Sequence, residues 1–112
     1  PERAMAVAKA AQAEAQATSF RLVLRGQATA LRAAVIARRD AAERYRAEAV
    51  RSAAQIARIA QVSYDAGERG ILELLDAFRV GASARMRQST LDLAVRQAEI
   101  ELEFATGWES SL

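Results

Sequence analysis

The chain has 112 residues with no Cys and no His, 5% aromatic residues, and a 52% apolar content in which Ala is the commonest type. That composition removes thiolate nucleophiles, imidazole bases, disulfide frameworks and the usual zinc and haem ligand sets. No run of eighteen or more apolar residues and no signal-like leader opens it, and it begins at Pro1 rather than Met, so it reads as an excised or processed piece of a longer protein.

The formal net charge of +2 conceals an asymmetry. Residues 1 to 63 carry eleven Arg/Lys against five Asp/Glu, a balance of +6, whereas residues 64 to 112 carry five against nine, a balance of −4. Two halves of opposite charge favour antiparallel closure of the chain on itself and disfavour pairing of two basic halves.

Between Pro1 and Tyr64 the only helix-unfriendly residue is Gly26, so the simplest expectation is one uninterrupted helix over about residues 2–64. At 1.5 Å per residue such a helix is roughly 90 Å long, several times the width of a small domain. Along it a 3,4,3,4 repeat runs through Ala28, Leu31, Val35, Arg38, Ala42, Tyr45, Ala49, Ser52, Ile56, Ile59 and Ser63. That spacing predicts a coiled-coil seam with small side chains.

The stretch from Tyr64 to Ala77 holds the only convincing turn. Gly67 can take the positive φ of a helix C-cap, and Gly70 can cap a new helix with Glu73 in its first turn, where a carboxylate suits the helix dipole. A tip turn is therefore predicted over 65–70, with a return helix over 71–106.

On the return arm Ile71, Leu75, Phe78, Ala82, Met86, Ser89 and Leu93 fall on one stripe, while Leu91, Val95, Ala98 and Leu102 fall on a neighbouring one. Two stripes suit either two packing partners, as in a ring of hairpins, or joint packing on the first arm. Gly107 predicts the end of the helix, followed by a short polar tail over 107–112 containing Trp108. The expected fold is all-α: a long antiparallel two-helix coiled-coil hairpin, thin, and marginal if left alone.

With the turn in place, Tyr64, Gly67, Arg69, Ile71, Glu73, Leu75, Asp76 and Ala77 together resemble the tip of the second periplasmic hairpin in TolC-like outer-membrane efflux proteins, where Leu-Asp-Ala follows a Gly closely. The opening around Ala10, Ala11, Ala13 and Glu14 resembles the start of that family's long helix, and Thr106-Gly107-Trp108 its closing segment. The run from Leu74 to Arg79 looks most like the heavy-metal and cation efflux branch.

The resemblance implies a homotrimer whose hairpins form a periplasmic tunnel, with barrel strands outside this chain holding it in the outer membrane. It implies passive export of metal cations or drugs delivered by an inner-membrane efflux pump through a periplasmic adaptor protein, with no cofactor, metal ligand or catalytic group. Tyr64 and Arg69 match the positions that hold the tunnel entrance closed, Glu73 and Asp76 match the acidic positions lining that entrance, and Ala66, Gly67 and Glu68 match the exposed tip that meets the adaptor. Glu68 and Gly70 depart from the small polar residue and the capping hydroxyl of the best-known members.

Other classes draw less from the residues. A soluble coiled-coil interaction module could use the Arg-rich face at Arg38, Arg39, Arg44, Arg46 and Arg51, although such runs are usually solvated helix faces. Asp40, Glu43 and Glu48 interrupt that face and argue against a nucleic-acid partner. An adaptor hairpin would carry an Arg-Leu-Ser type tip, which this chain lacks, and an enzyme would need more chemistry than one carboxylate pair near a turn.

Overall fold

The computed structural model describes residues 1–110, and within them the protein is a hairpin of two long helical arms. The outgoing arm consists of α1 (Glu2–Tyr45), a π-helical segment (Arg46–Val50) and α2 (Arg51–Asp65); the return arm is α3 (Ile71–Ser110). The molecule measures 97 × 22 × 17 Å with a radius of gyration of 26.5 Å, about twice the ~13 Å of a compact domain of this size. No described helix is long and apolar enough to cross a membrane.

The reversal follows from the local chemistry of the turn. Gly67 is the one residue with positive φ among those described, at 78°, a conformation that costs an L side chain roughly 1–2 kcal/mol. Its N–H donates to the Tyr64 carbonyl at 3.0 Å, and the Glu68 N–H donates to the Ser63 carbonyl at 2.9 Å. These are the paired 5→2 and 6→1 bonds of a Schellman closure, which satisfy carbonyls that the helix end would leave open. The Arg69 N–H adds a third bond, to Ser63 at 3.3 Å. Asp65 still belongs to α2, so the turn is residues 66–70, one shorter than the spacing predicts.

Three further expectations are corrected. The outgoing arm keeps its direction but not its uniform hydrogen-bond register, because the π-helical turn Arg46–Val50 admits an extra residue. The seam shifts accordingly: Ala28, Leu31, Val35, Ala42, Tyr45 and Ala49 are covered as predicted, but beyond the π turn Ala53, Ala57 and Ala60 replace Ser52, Ile56 and Ile59, while Arg38 is exposed. A one-residue insertion rotates everything after it by about 100° around the helix axis, which takes Ser52, Ile56 and Ile59 off the seam, while Ser63 in the last turn before the tip stays partly covered.

On the return arm the seam is Leu74, Ala77, Gly81, Ala84, Gln88, Leu91, Val95, Ala98 and Leu102, a 3,4 repeat throughout. The second predicted stripe therefore packs on the first arm, whereas Ile71, Leu75, Phe78, Met86 and Leu93 of the first stripe are exposed. Small residues win because Ala and Gly let two helices approach closely along their whole length, and larger side chains are displaced sideways. Finally, α3 continues through Gly107 to Ser110, so no cap forms at Gly107. Residues 111 and 112 of the predicted tail, and the surroundings of the Trp108 side chain, lie outside the described residues.

The core is correspondingly thin. Its buried apolar residues are Val35, Ala42, Ala53, Ala60, Leu74, Ala77, Ala84 and Ala98, and no large side chain among the described residues is completely enclosed. Since Ala buries little apolar area, each contact stabilises the hairpin only weakly and length must compensate. Cross-arm ion pairs join the basic arm to the acidic one: Arg39 to Glu99 at 3.4 Å and Arg46 to Asp92 at 2.9 Å. Both are partly exposed and worth at most about 1 kcal/mol each, so they favour the antiparallel pairing more than they hold it. Exposed Arg44 bonds Asp40 one turn away, which raises the guanidinium further above its ordinary range.

Candidate functional site at the hairpin tip

The residues singled out at the tip come from three consecutive pieces of backbone. The last turn of α2 supplies Tyr64, the Schellman turn supplies Ala66, Gly67, Glu68 and Arg69, and the first two turns of α3 supply Glu73 and Asp76. Because the turn is pinned by three backbone hydrogen bonds, Ala66, Gly67 and Glu68 form an exposed apex at one end of the molecule. No side chain approaches within 4 Å of where a Gly67 Cβ would stand, so the need for glycine is conformational rather than steric.

Glu73 and Asp76 are three apart on α3 and line one open groove of about 980 Å³ beside the seam. The groove also takes Glu68 and Arg69 from the turn, Leu72 and Val80 from α3, and Ile56 and Ile59 from α2. Its walls are thus acidic at the tip and apolar toward the arms. The apolar part follows directly from the π turn, which rotates Ile56 and Ile59 off the seam and leaves them 48% and 54% exposed. A second groove, lined among others by Tyr45, Ser52, Ser83 and Arg87, shares Ile56 and Val80 with the first and continues it along the same side.

Arg69 pairs with Glu73 one helical turn away, Nε to Oε2 at 3.6 Å, with both side chains more than half exposed. Such a pair contributes a few tenths of a kcal/mol and exchanges readily for another partner. Tyr64 is 39% exposed; its carbonyl closes the turn, and its ring is not part of the groove. Of the seven tip residues, the structure gathers Glu68, Arg69, Glu73 and Asp76 into one groove and leaves Tyr64, Ala66 and Gly67 outside it.

Sequence reasoning missed the apolar residues of this groove, because Ile56 and Ile59 continue the heptad of the outgoing arm and read as seam. It also missed Gln88, the one buried polar side chain among the described residues. The signal for Gln88 was present: extending Leu91, Val95, Ala98 and Leu102 backwards by the same 3,4 spacing passes through Gln88, Ala84, Gly81, Ala77 and Leu74.

Compared with known proteins, the chain matches no protein-family model, no curated protein and no solved structure.

Proposed function

We propose that this chain is a periplasmic tunnel hairpin of a bacterial outer-membrane efflux channel of the TolC-like kind. The observation that carries the reading is a coincidence of pattern and place. The residues that resemble the family's tip, from Tyr64 to Ala77, occupy a tight reversal at the end of a hairpin 97 Å long. The uncovered sides support it as well: Ile56, Ile59, Leu72 and Val80 along the groove, and Ile71, Leu75 and Phe78 on α3, are large apolar residues that the arms do not bury in each other. A ring of neighbouring hairpins, as in a trimeric tunnel, would cover them.

In this reading the chain conducts and does not catalyse. An inner-membrane pump supplies the energy and selects the cargo, a periplasmic adaptor meets the apex at Ala66, Gly67 and Glu68, and strands outside this chain form the barrel. Threefold repetition brings copies of Glu73 and Asp76 around the entrance, where rings of carboxylates favour cations over anions. The exposed pair of Arg69 with Glu73 suits a gate. An arginine held this weakly can exchange Glu73 for a partner on a neighbouring hairpin without a large barrier, and Tyr64 in the last turn of α2 offers a hydroxyl for the same purpose.

The test is electrical. In the full-length channel reconstituted in planar bilayers, replacing both Glu73 and Asp76 by Ala lowers the preference for cations and weakens block by polyvalent cations applied from the periplasmic side. Selectivity and block identical to the parent channel would remove the carboxylates from the conduction path.

A further inference from the structure

The outgoing arm contains two competing seams beyond Ala49. One is the regular continuation of its heptad, Ser52, Ile56 and Ile59; the other, which the structure uses, is Ala53, Ala57 and Ala60. By burial alone the first should win, since two Ile side chains remove far more apolar area from water than Ala does. Something other than area therefore selects the second.

The switch between them is the π-helical turn Arg46–Val50, and one polar cluster sits at its start. Gln88 of α3 is buried at 8% exposure within an otherwise apolar seam. Its Nε2 donates across the arms to the Ala42 carbonyl at 3.1 Å and along its own helix to Asp92 Oδ1 at 2.8 Å. Asp92 in turn accepts from Arg46, the first residue of the π turn, at 2.9 and 3.1 Å. The Ala42 carbonyl that Gln88 reaches is also an acceptor for the Arg46 N–H, which is shared between Ala42 and Glu43. Both ends of the cluster thus grip the place where the helix departs from its regular ladder.

Gln88 carries a cost: its Oε1 is buried with no hydrogen-bond partner among the described residues. A buried polar side chain that is only half satisfied weakens a coiled coil while specifying one register over others. We infer that Gln88, with Asp92 and Arg46, is a register selector that holds the π turn in place and so chooses the alanine seam, keeping Ile56 and Ile59 on the open side of the hairpin. Without it, α2 rotates about its axis, Ile56 and Ile59 turn inward, and Ala53 and Ala60 turn outward. This inference rests on the fold and stands independently of the tunnel reading.

The chain has no cysteine, so single cysteines report on each seam directly. Ile59→Cys and Ala53→Cys are introduced separately into the parent full chain and into the Gln88→Leu variant, and maleimide labelling rates are measured alongside helix content by circular dichroism. In the parent, the thiol introduced at position 59 labels fast and the one at position 53 slowly. In Gln88→Leu the order reverses, each rate moving by about tenfold or more as the population shifts between seams. Asp92→Asn, which leaves the amide in place but weakens its partners, moves both rates in the same directions by less. Unchanged rates with unchanged helix content overturn the inference. So do fast labelling at both positions, which would make the cluster a clasp between the arms, and loss of helix, which would make it a folding determinant.

Discussion

A single backbone angle decides where this chain reverses. Gly67 sits at a φ of 78° with open space around it, so Gly67→Ala carries no clash and the whole effect is the strain of a left-handed L residue. The expected loss is roughly 1–2 kcal/mol, read as a lowered midpoint in urea denaturation followed by circular dichroism. A neutral result would mean that the turn relaxes to another geometry. The need for glycine here was legible in the sequence, because the residue stands between two helical runs and few residues accept that conformation. The Schellman bonds from Gly67 and Glu68 follow from it almost automatically. Gln88 was legible only as a position on the 3,4 repeat; its burial and its bond to the Ala42 carbonyl depend on the partner arm, since a glutamine on a helix is ordinarily solvated.

The arms illustrate how closely a helix element can be read and still be misplaced by one position. Apart from Arg38, seven-residue spacing located the seam of the outgoing arm through Ala49, but local spacing has no means of announcing a π turn, at whose start Gln88 of the other arm bonds the Ala42 carbonyl. On α3 the larger residues Ile71, Leu75, Phe78 and Met86 drew attention, yet the seam follows the smaller ones. Ala60, Leu74 and Ala77 form the buried cluster nearest the tip and should tolerate enlargement poorly. Ala60→Leu is expected to cost about 1–3 kcal/mol through overpacking. Ile59→Leu, one position away but exposed, should stay within about 0.5 kcal/mol. Thermal unfolding of the two variants side by side distinguishes this seam from the one that the heptad suggested; equal destabilisation would contradict the alanine seam.

The shape of the whole molecule is an extended rod, and it gives the most direct check of the hairpin. A monomer in dilute solution should scatter X-rays with a radius of gyration near 26.5 Å, enlarged slightly by hydration. An opened, fully straight chain or a swapped dimer would be substantially larger, and a collapsed globule would approach ~13 Å. Residues 2 to 27 of the outgoing arm are all exposed, including Met5, Val7, Phe20 and Leu22. The candidate tip site depends on the same long geometry. Glu73, Asp76 and the apex residues are displayed far from the other end of the rod, where only an assembly larger than one hairpin could give them a common axis.

The sequence by itself determined that this protein is helical, elongated, reversed at Gly67, and charged so that its arms attract, since each of these follows from local propensity, one special φ and the placement of Arg and Glu along the chain. It also placed the acidic pair just past the turn. Only the tertiary structure decided which face of α2 and which of the two stripes of α3 meets the other arm, that Ile56 and Ile59 lie beside Glu73 and Asp76 in one groove, and that Gln88 is buried. The physical reason is that seam choice in a hairpin of small residues rests on differences of a few methyl groups and one polar cluster. Those differences exist only between the two arms and never within either one.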